Sequence, residues 1–285
     1  MVEDTVLVKR HIRSLRGSSN PFLAEASDGH LYIVKPMLDQ KNSNQHFNES
    51  AGTELYRALG LNVPSWRPLL VTETFIARMA KGAYRNGYPP GLRAGVAFGS
   101  RFLGEGGDQL FEVLPGTSLS WIENRTCLWS AWLIDICALH TDNRQAIFTR
   151  SADRRLNVTF IDHGQMFGGS HGDSTPPFIA SRYLDSRIYP YVSNQDISAL
   201  LSDVLSANLD LIWQRVSLIP EEWKTSSGIA AFGDCLGRLS DAKLLESVVN
   251  TILHALERET KDERTVCLPN SGSNAQVLCP FIHGT

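Results

Sequence analysis

The sequence predicts an α+β fold, bilobal, with a small β-rich N-terminal lobe and a mainly helical C-terminal lobe. Three observations predict it. Runs of β-type composition crowd the chain before Leu103. Glycines gather at Gly104-Glu105-Gly106-Gly107, where apolar periodicity stops, which marks a lobe boundary. Beyond Trp121 the apolar residues recur mostly at helical spacing. The expected division is residues 1–103, residues 104–265 and a poorly ordered tail over 266–285. A chain of 285 residues is long enough to bury a sizeable core as one large domain or two lobes.

Val6 to Ile12, Phe22 to Ala26 and Leu31 to Lys35 read as three strands. The turn between the first two, Arg13 to Asn20, holds Gly17, Ser18 and Ser19. It is either a plain turn or one whose backbone N–H groups wrap a phosphate, since glycine and serine let the backbone approach closely. Ser27-Asp28-Gly29 is a tight turn. Lys35 ends the third strand as Tyr-Ile-Val-Lys, so it is either solvated or the partner of an acidic group. Phe47 to Leu59 has helical periodicity, with Gly60 as its stop. Glu49 in its first turn either favours the helix dipole or holds Lys35 against a nucleotide's phosphates. Leu61 to Pro68 reads as a connector, Leu69 to Val71 as a short apolar segment and Gly82 to Gly95 as a loop. Val96 to Leu103 is a strand running into a linker, where an adenine ring is expected.

Asn124 to Leu139 predicts a buried helix, and Asp135 within it either braces a neighbouring loop or faces water. Asp196 to Val216 and Asp241 to Leu256 predict amphipathic helices separated by Ile219-Pro220-Glu221-Glu222-Trp223. Gln165 to Pro177 is rich in glycine and serine, the natural place for a mobile segment.

The chemistry is concentrated between Trp132 and Gly164. The helix delivers the chain to His140-Thr141-Asp142-Asn143-Arg144-Gln145, then two β-type runs, Ala146 to Thr149 and Asn157 to Ile161, lead to Asp162-His163-Gly164. If the two runs pair as a hairpin, Asp142 and Asp162 lie side by side, because both ends open on the same side. A base beside a metal-binding carboxylate suits phosphoryl transfer, with the upstream strands as the nucleotide cradle.

Composition excludes other classes. A formal charge of -3 gives no basis for a nucleic-acid surface. Mean hydropathy is -0.14, no apolar run approaches the roughly 18 residues of a membrane span, and the N-terminus lacks the shape of a signal peptide. Five scattered cysteines without a C-x-x-C pair point to free thiols in a reducing cytoplasm. His163 and His171 have no further His or Cys at ligand spacing, so a zinc site is not expected.

These motifs together resemble the HipA-like kinases, bacterial serine/threonine kinase relatives named after a persistence toxin. The resemblance runs over about residues 5 to 260. It is carried by the Gly-Ser turn, Ile33-Val34-Lys35, Asn48-Glu49, Phe98-Gly99-Ser100-Arg101, Asp135, Thr141 to Gln145, Ile161 to Gly164 and Ile219 to Trp223. The likeness is greatest to the compact branch without the founding toxin's N-terminal extension. It implies a protein-kinase-like fold that binds ATP with Mg2+. Gly17, Ser18 and Ser19 would then line the phosphates, and Arg101, Phe102 and Leu103 the adenine. Lys35 would contact the α/β-phosphates, Glu49 would orient it, Asp142 would take the hydroxyl proton and Asp162 would bind the metal. Kinases place a second metal-binding Asn five residues after the catalytic Asp; that position here is Ile147, and Gln145 is read as the substitute. The implied activity is ATP- and Mg2+-dependent phosphotransfer, of serine/threonine protein kinase type, to a protein or small-molecule acceptor. The alternatives are a nucleotide-binding pseudokinase and a toxin-like regulatory module with a protein partner.

Overall fold

The computed structural model describes residues 6–38, 43–82, 92–150, 155–169, 182–183, 185–189 and 192–266. Five strands, β1 (Val6–Ser14), β2 (Phe22–Ala26), β3 (Leu31–Leu38), β4 (Trp66–Val71) and β5 (Leu92–Arg101), close into a barrel in the order β1-β2-β3-β5-β4. The closure is the short parallel contact of Val6 with Leu69 and Leu7 with Leu70. Strand alternation decides what faces the barrel core: Tyr32 and Val34 of β3 are buried there, and Lys35 lies on the opposite face. Pro36, which has no N–H to give, sits where the β3–β5 register slips between Lys35 and Met37.

Within the barrel two stretches differ from the sequence reading. The connector expected over Leu61 to Pro68 becomes strand at Trp66, with Pro68 paired to Phe98 just before β1 joins the ladder at Leu69. The loop expected over Gly82 to Gly95 is helix at its start and strand from Leu92, while residues 83–91 lie outside the described residues. The unforeseen helix α2 (Glu73–Gly82) plugs the barrel with Phe75 and Met79, one turn apart.

Helix α1 (Ser43–Ala58) buries Phe47, Ala51 and Leu55 in a second, larger core shared with the C-terminal part. That part is strand-poor and helical. A three-stranded sheet, β6 (Gln109–Phe111), β7 (Gln145–Arg150) and β8 (Leu156–Ile161), packs with α3 (Cys127–Cys137), α4 (Asn194–Leu205), α5 (Leu209–Ser217), α6 (Ser226–Leu239) and α7 (Ala242–Val266). The single helix expected over Asp196 to Val216 is two, because Asn208 accepts a hydrogen bond from the Leu211 N–H at 3.0 Å and starts α5 afresh. Helix α6 was not legible, since Gly228, Gly233 and Gly237 lower its helical propensity. Gly228 is required by packing: a Cβ there would stand 2.9 Å from the Phe47 ring of α1.

Trp223 ties the two parts together. It is 1% exposed, its ring lies 5.3 Å from His46 of α1 and 6.1 Å from Trp66 of β4, and its Nε1–H donates to the Val96 carbonyl at 3.0 Å. Among the described residues no helix is long and apolar enough to cross a membrane. The tail expected over residues 266–285 lies outside the described residues except for Val266, which ends α7, and so do the part of the expected mobile segment beyond Gly169 and His171.

Candidate active site

Lys35, on the outer face of β3, meets two carboxylates from opposite directions. Its Nζ donates to Glu49 Oε1 of α1 and to Asp162 Oδ1, just past β8, the latter at 2.7 Å. Glu49 is buried (2% exposed), whereas 34% of the Asp162 side chain is accessible. Glu49 is therefore the partner of Lys35; it is not in the first turn as the sequence suggested, because α1 begins at Ser43, one turn earlier than Phe47. Burial disfavours the Lys35 ammonium, but the charges of Asp162 and Glu49 outweigh it and raise the pKa above the usual lysine range. Burial would likewise raise Asp162, yet the Lys35 ammonium holds that carboxyl well below the usual carboxylate range. Burial pushes the Glu49 carboxyl up, against the pull of Lys35. Glu49 Oε2 also accepts the His163 N–H at 3.1 Å, so one carboxylate fixes the lysine and the loop after Asp162 together.

The hairpin forms as the sequence predicts. Gln145 pairs with Ile161 and Arg150 with Leu156, so the Asp142 and Asp162 ends open on one side. Asp162 has φ 61°, a left-handed conformation that aspartate tolerates better than most residues. Its Oδ2 accepts from Gln145 Nε2 at 2.9 Å. Asp142 is exposed, and its Oδ1 accepts the neighbouring Asn143 N–H at 2.7 Å. The loop carrying it is fixed from behind. His140 is buried, which lowers its pKa, and its Nδ1–H donates to the Asp142 carbonyl at 2.6 Å. The Thr141 N–H donates to the Gln165 carbonyl at 3.0 Å, and the Phe167 N–H to the Ala138 carbonyl at 2.6 Å, binding the two loops to each other.

Asn48, whose partners nothing nearby in the sequence marks, clamps this second loop. Its buried Nδ2 reaches the carbonyls of Gly164 at 3.1 Å, Met166 at 2.7 Å and Gly169 at 3.3 Å. The close approach explains Gly164: a Cβ there would lie 2.6 Å from Glu49 Oε1 and 3.2 Å from Gln45 Cγ. Gly164→Ala is accordingly expected to destabilise the fold by about 1–3 kcal/mol. A urea midpoint equal to wild type, at equal slope, would contradict the packing.

The Gly-Ser turn is pinned by the Leu15 N–H on the Pro21 carbonyl at 2.9 Å and the Asn20 N–H on the Gly17 carbonyl at 3.2 Å. Gly17 and Ser18 are exposed and Ser19 is buried. The predicted hinge residues are only partly free for a ligand. The N–H of Arg101 donates to Ser65 and that of Phe102 to Leu31. The Arg101 guanidinium is engaged with Glu105, at 2.6 Å, and with His30. Leu103 opens a short 3-10 turn, Leu103–Gly106, beside them.

Asp135, left between two roles by the sequence, is fully buried and braces the loop through Arg144, whose Nε donates to its Oδ2 at 2.7 Å. His163 is buried against the Tyr56 ring, 4.6 Å between centroids, and burial holds its pKa well below the usual histidine range. Among the described residues no cluster of three or more His, Cys, Asp or Glu side chains is arranged to hold a metal ion.

The sequence model of the HipA-like kinases matches residues 7–233, most of the chain. No curated protein matches the chain in sequence. Among solved structures, the Helicobacter pylori proinflammatory kinase CtkA aligns with a TM-score of 0.55 at 12% identity, over 86% of this chain and 99% of that one. A Golgi casein kinase aligns with a TM-score of 0.51 at 14% identity, over 92% of this chain and 75% of that one. At these identities the structures establish the fold, which is protein-kinase-like.

Proposed function

The chain belongs to the HipA-like kinase family, and we propose that it transfers the γ-phosphoryl group of Mg2+-bound ATP to a serine or threonine hydroxyl of a protein. The observation that carries this reading is the junction at Lys35, where one ammonium joins Glu49 of α1 to Asp162 at the end of the hairpin. A kinase-like phosphotransferase is given by family and fold; nucleotide, metal and acceptor class are our reading. On it, residues 1–103 hold the nucleotide and residues 104–265 carry the catalytic loop.

Phosphoryl transfer asks the protein mainly for positioning and for positive charge near the phosphates. Lys35, held by Glu49, presents a fixed ammonium to the α/β-phosphates. The Gly17, Ser18 and Ser19 backbone is small enough to approach them, and Leu103 has the place for adenine contact. Asp142, exposed and fixed through its carbonyl, orients the acceptor hydroxyl and takes its proton. Asp162 and Gln145 fit Mg2+, because both offer oxygen, the donor Mg2+ prefers, and the Asp162 side chain is partly accessible. The Gln145 amide, which lies with its nitrogen on Asp162, would turn over to present its oxygen. A metal held there would supply positive charge against the charge developing on the phosphates. The free thiols Cys127, Cys137 and Cys235 suit a reducing, cytoplasmic setting.

Lys35 and Glu49 act as one unit on this reading. Lys35→Ala and Glu49→Ala are each expected to lower kcat/KM on the order of 100-fold. The double variant should be little worse than either single one. Additive losses in the kinetic cycle would show that the two residues work independently.

One feature favours a second reading, a nucleotide-binding regulator without transfer: Ile147 stands five residues after Asp142 and cannot ligate a metal. Incubation of the purified protein with Mg2+ and γ-labelled ATP, followed by phosphoamino-acid analysis, separates the two. Label on serine or threonine, of the protein itself or an added acceptor protein, is expected. Nucleotide binding with no transferred label would overturn the kinase reading in favour of the regulator.

A further inference from the structure

Behind the proposed catalytic residues lies a buried ionic network that the transfer step does not use. Arg144 and Asp135 form a two-pronged pair with side chains 1% and 0% exposed. The Arg144 Nε donates to Asp135 Oδ2 at 2.7 Å and its Nη2 to Oδ1. The remaining arm, Nη1, donates to two main-chain carbonyls, those of Ile161 at 3.0 Å and Asp162 at 3.2 Å. Asp135 Oδ1 also accepts from the Tyr56 hydroxyl at 2.7 Å, and the guanidinium lies over the Tyr56 ring, 4.9 Å from its centroid. Four segments therefore meet in one network: α1 through Tyr56, α3 through Asp135, the Asp142 loop through Arg144, and the end of β8 through its carbonyls.

We propose that Arg144 is a positioning residue for metal binding, and that Tyr56 makes the seating of α1 part of the same device. The proposal rests on the kinase reading of Asp162. Arg144 stands two residues after Asp142 and next to Gln145, so anchoring it fixes both. Asp162 keeps a left-handed φ of 61°, a conformation that a non-glycine residue holds only when its surroundings constrain it. The Arg144 arm on the carbonyls of Ile161 and Asp162 is such a constraint. Glu49 and Tyr56 lie two turns apart on α1, hence on nearby faces, so one helix contributes both the partner of Lys35 and a partner of the network. A buried ion pair adds little net stability over a well-packed apolar alternative, whereas a planar fork can fix several groups at set angles. Geometry is what this network supplies.

Tyr56→Phe is the informative variant. It removes one hydroxyl and keeps the ring against Phe160 and His163, 5.5 and 4.6 Å away. The probe is fluorescent ADP titrated at graded Mg2+, alongside the thermal midpoint. The Mg2+ concentration for half-maximal nucleotide binding should rise about tenfold or more, the usual effect of losing a partner behind a metal ligand. Binding measured without Mg2+ should stay near wild type. Arg144→Lys, which keeps the charge and loses the fork, should shift the Mg2+ midpoint further if it folds. A Tyr56→Phe protein with a wild-type Mg2+ midpoint, whatever its melting temperature, would overturn the positioning role alone. Wild-type protein that binds no nucleotide with Mg2+ would overturn both this role and the kinase reading beneath it.

Discussion

Asp142→Asn is expected to lower phosphoryl transfer by about 10²–10⁴-fold, the usual contribution of a general base, and to leave nucleotide affinity nearly unchanged. The substitution is almost isosteric. Asparagine keeps an oxygen for the Asn143 N–H that Asp142 Oδ1 accepts at 2.7 Å, and the His140 bond goes to the main chain. Loop geometry therefore survives, and what is lost is the charge that draws the hydroxyl proton. Because that charge acts as the transition state forms, the loss falls on kcat. If Asp142 served only to shape its turn, asparagine would serve equally well, and the variant would match wild type in kcat as in melting temperature. Single-turnover kinetics beside a thermal melt distinguishes the two.

Asp162→Asn should fail differently. With Mg2+ present, nucleotide affinity should fall roughly ten- to hundredfold, the scale of one charge-assisted contact, and transfer should fall with it. Without Mg2+, affinity should hold or rise, because a negative charge beside the polyphosphate has been removed and Lys35 keeps Glu49 as its partner. This crossing of the two affinities is the signature of a metal ligand. A purely structural Asp162 would weaken binding equally in both conditions. Gln145→Ala should show the same pattern in milder form, since a neutral amide holds a divalent cation less firmly.

The parts of the site that could be read from the sequence are those fixed by local periodicity. The β-type run from Leu31 placed Lys35 at the end of a strand, and the run–turn–run pattern from Ala146 to Ile161 set Asp142 beside Asp162. Glu49 was readable because the helical spacing of Phe47, Ala51 and Leu55 put it on a helix close behind Lys35 in the chain. The unread parts depend on contacts between distant segments. Asn48 closes on carbonyls more than a hundred residues away, and nothing near it in the chain marks those partners. Asp135 stayed ambiguous because a lone acid on an apolar helix looks the same whether it meets Arg144 or water. Trp223 looked like part of a connector, yet it fills the space between α1 and the barrel. Its burial follows from how the lobes meet, which periodicity does not encode. Helix α6 was lost for the opposite reason: Gly228 serves the approach to Phe47 and weakens the local helical signal.

Calorimetric titration of the wild-type protein with ATP, with and without Mg2+, tests the central claim most directly, because every proposed role depends on a nucleotide seated against the Lys35–Asp162 pair. Saturable binding near one site per chain, tighter with Mg2+ than without, is the expected result. At about 100 times the dissociation constant it should also add roughly 2.7 kcal/mol to unfolding stability. Absence of heat and of thermal stabilisation at millimolar nucleotide with Mg2+ would contradict the nucleotide site, and with it both the kinase and the regulator readings.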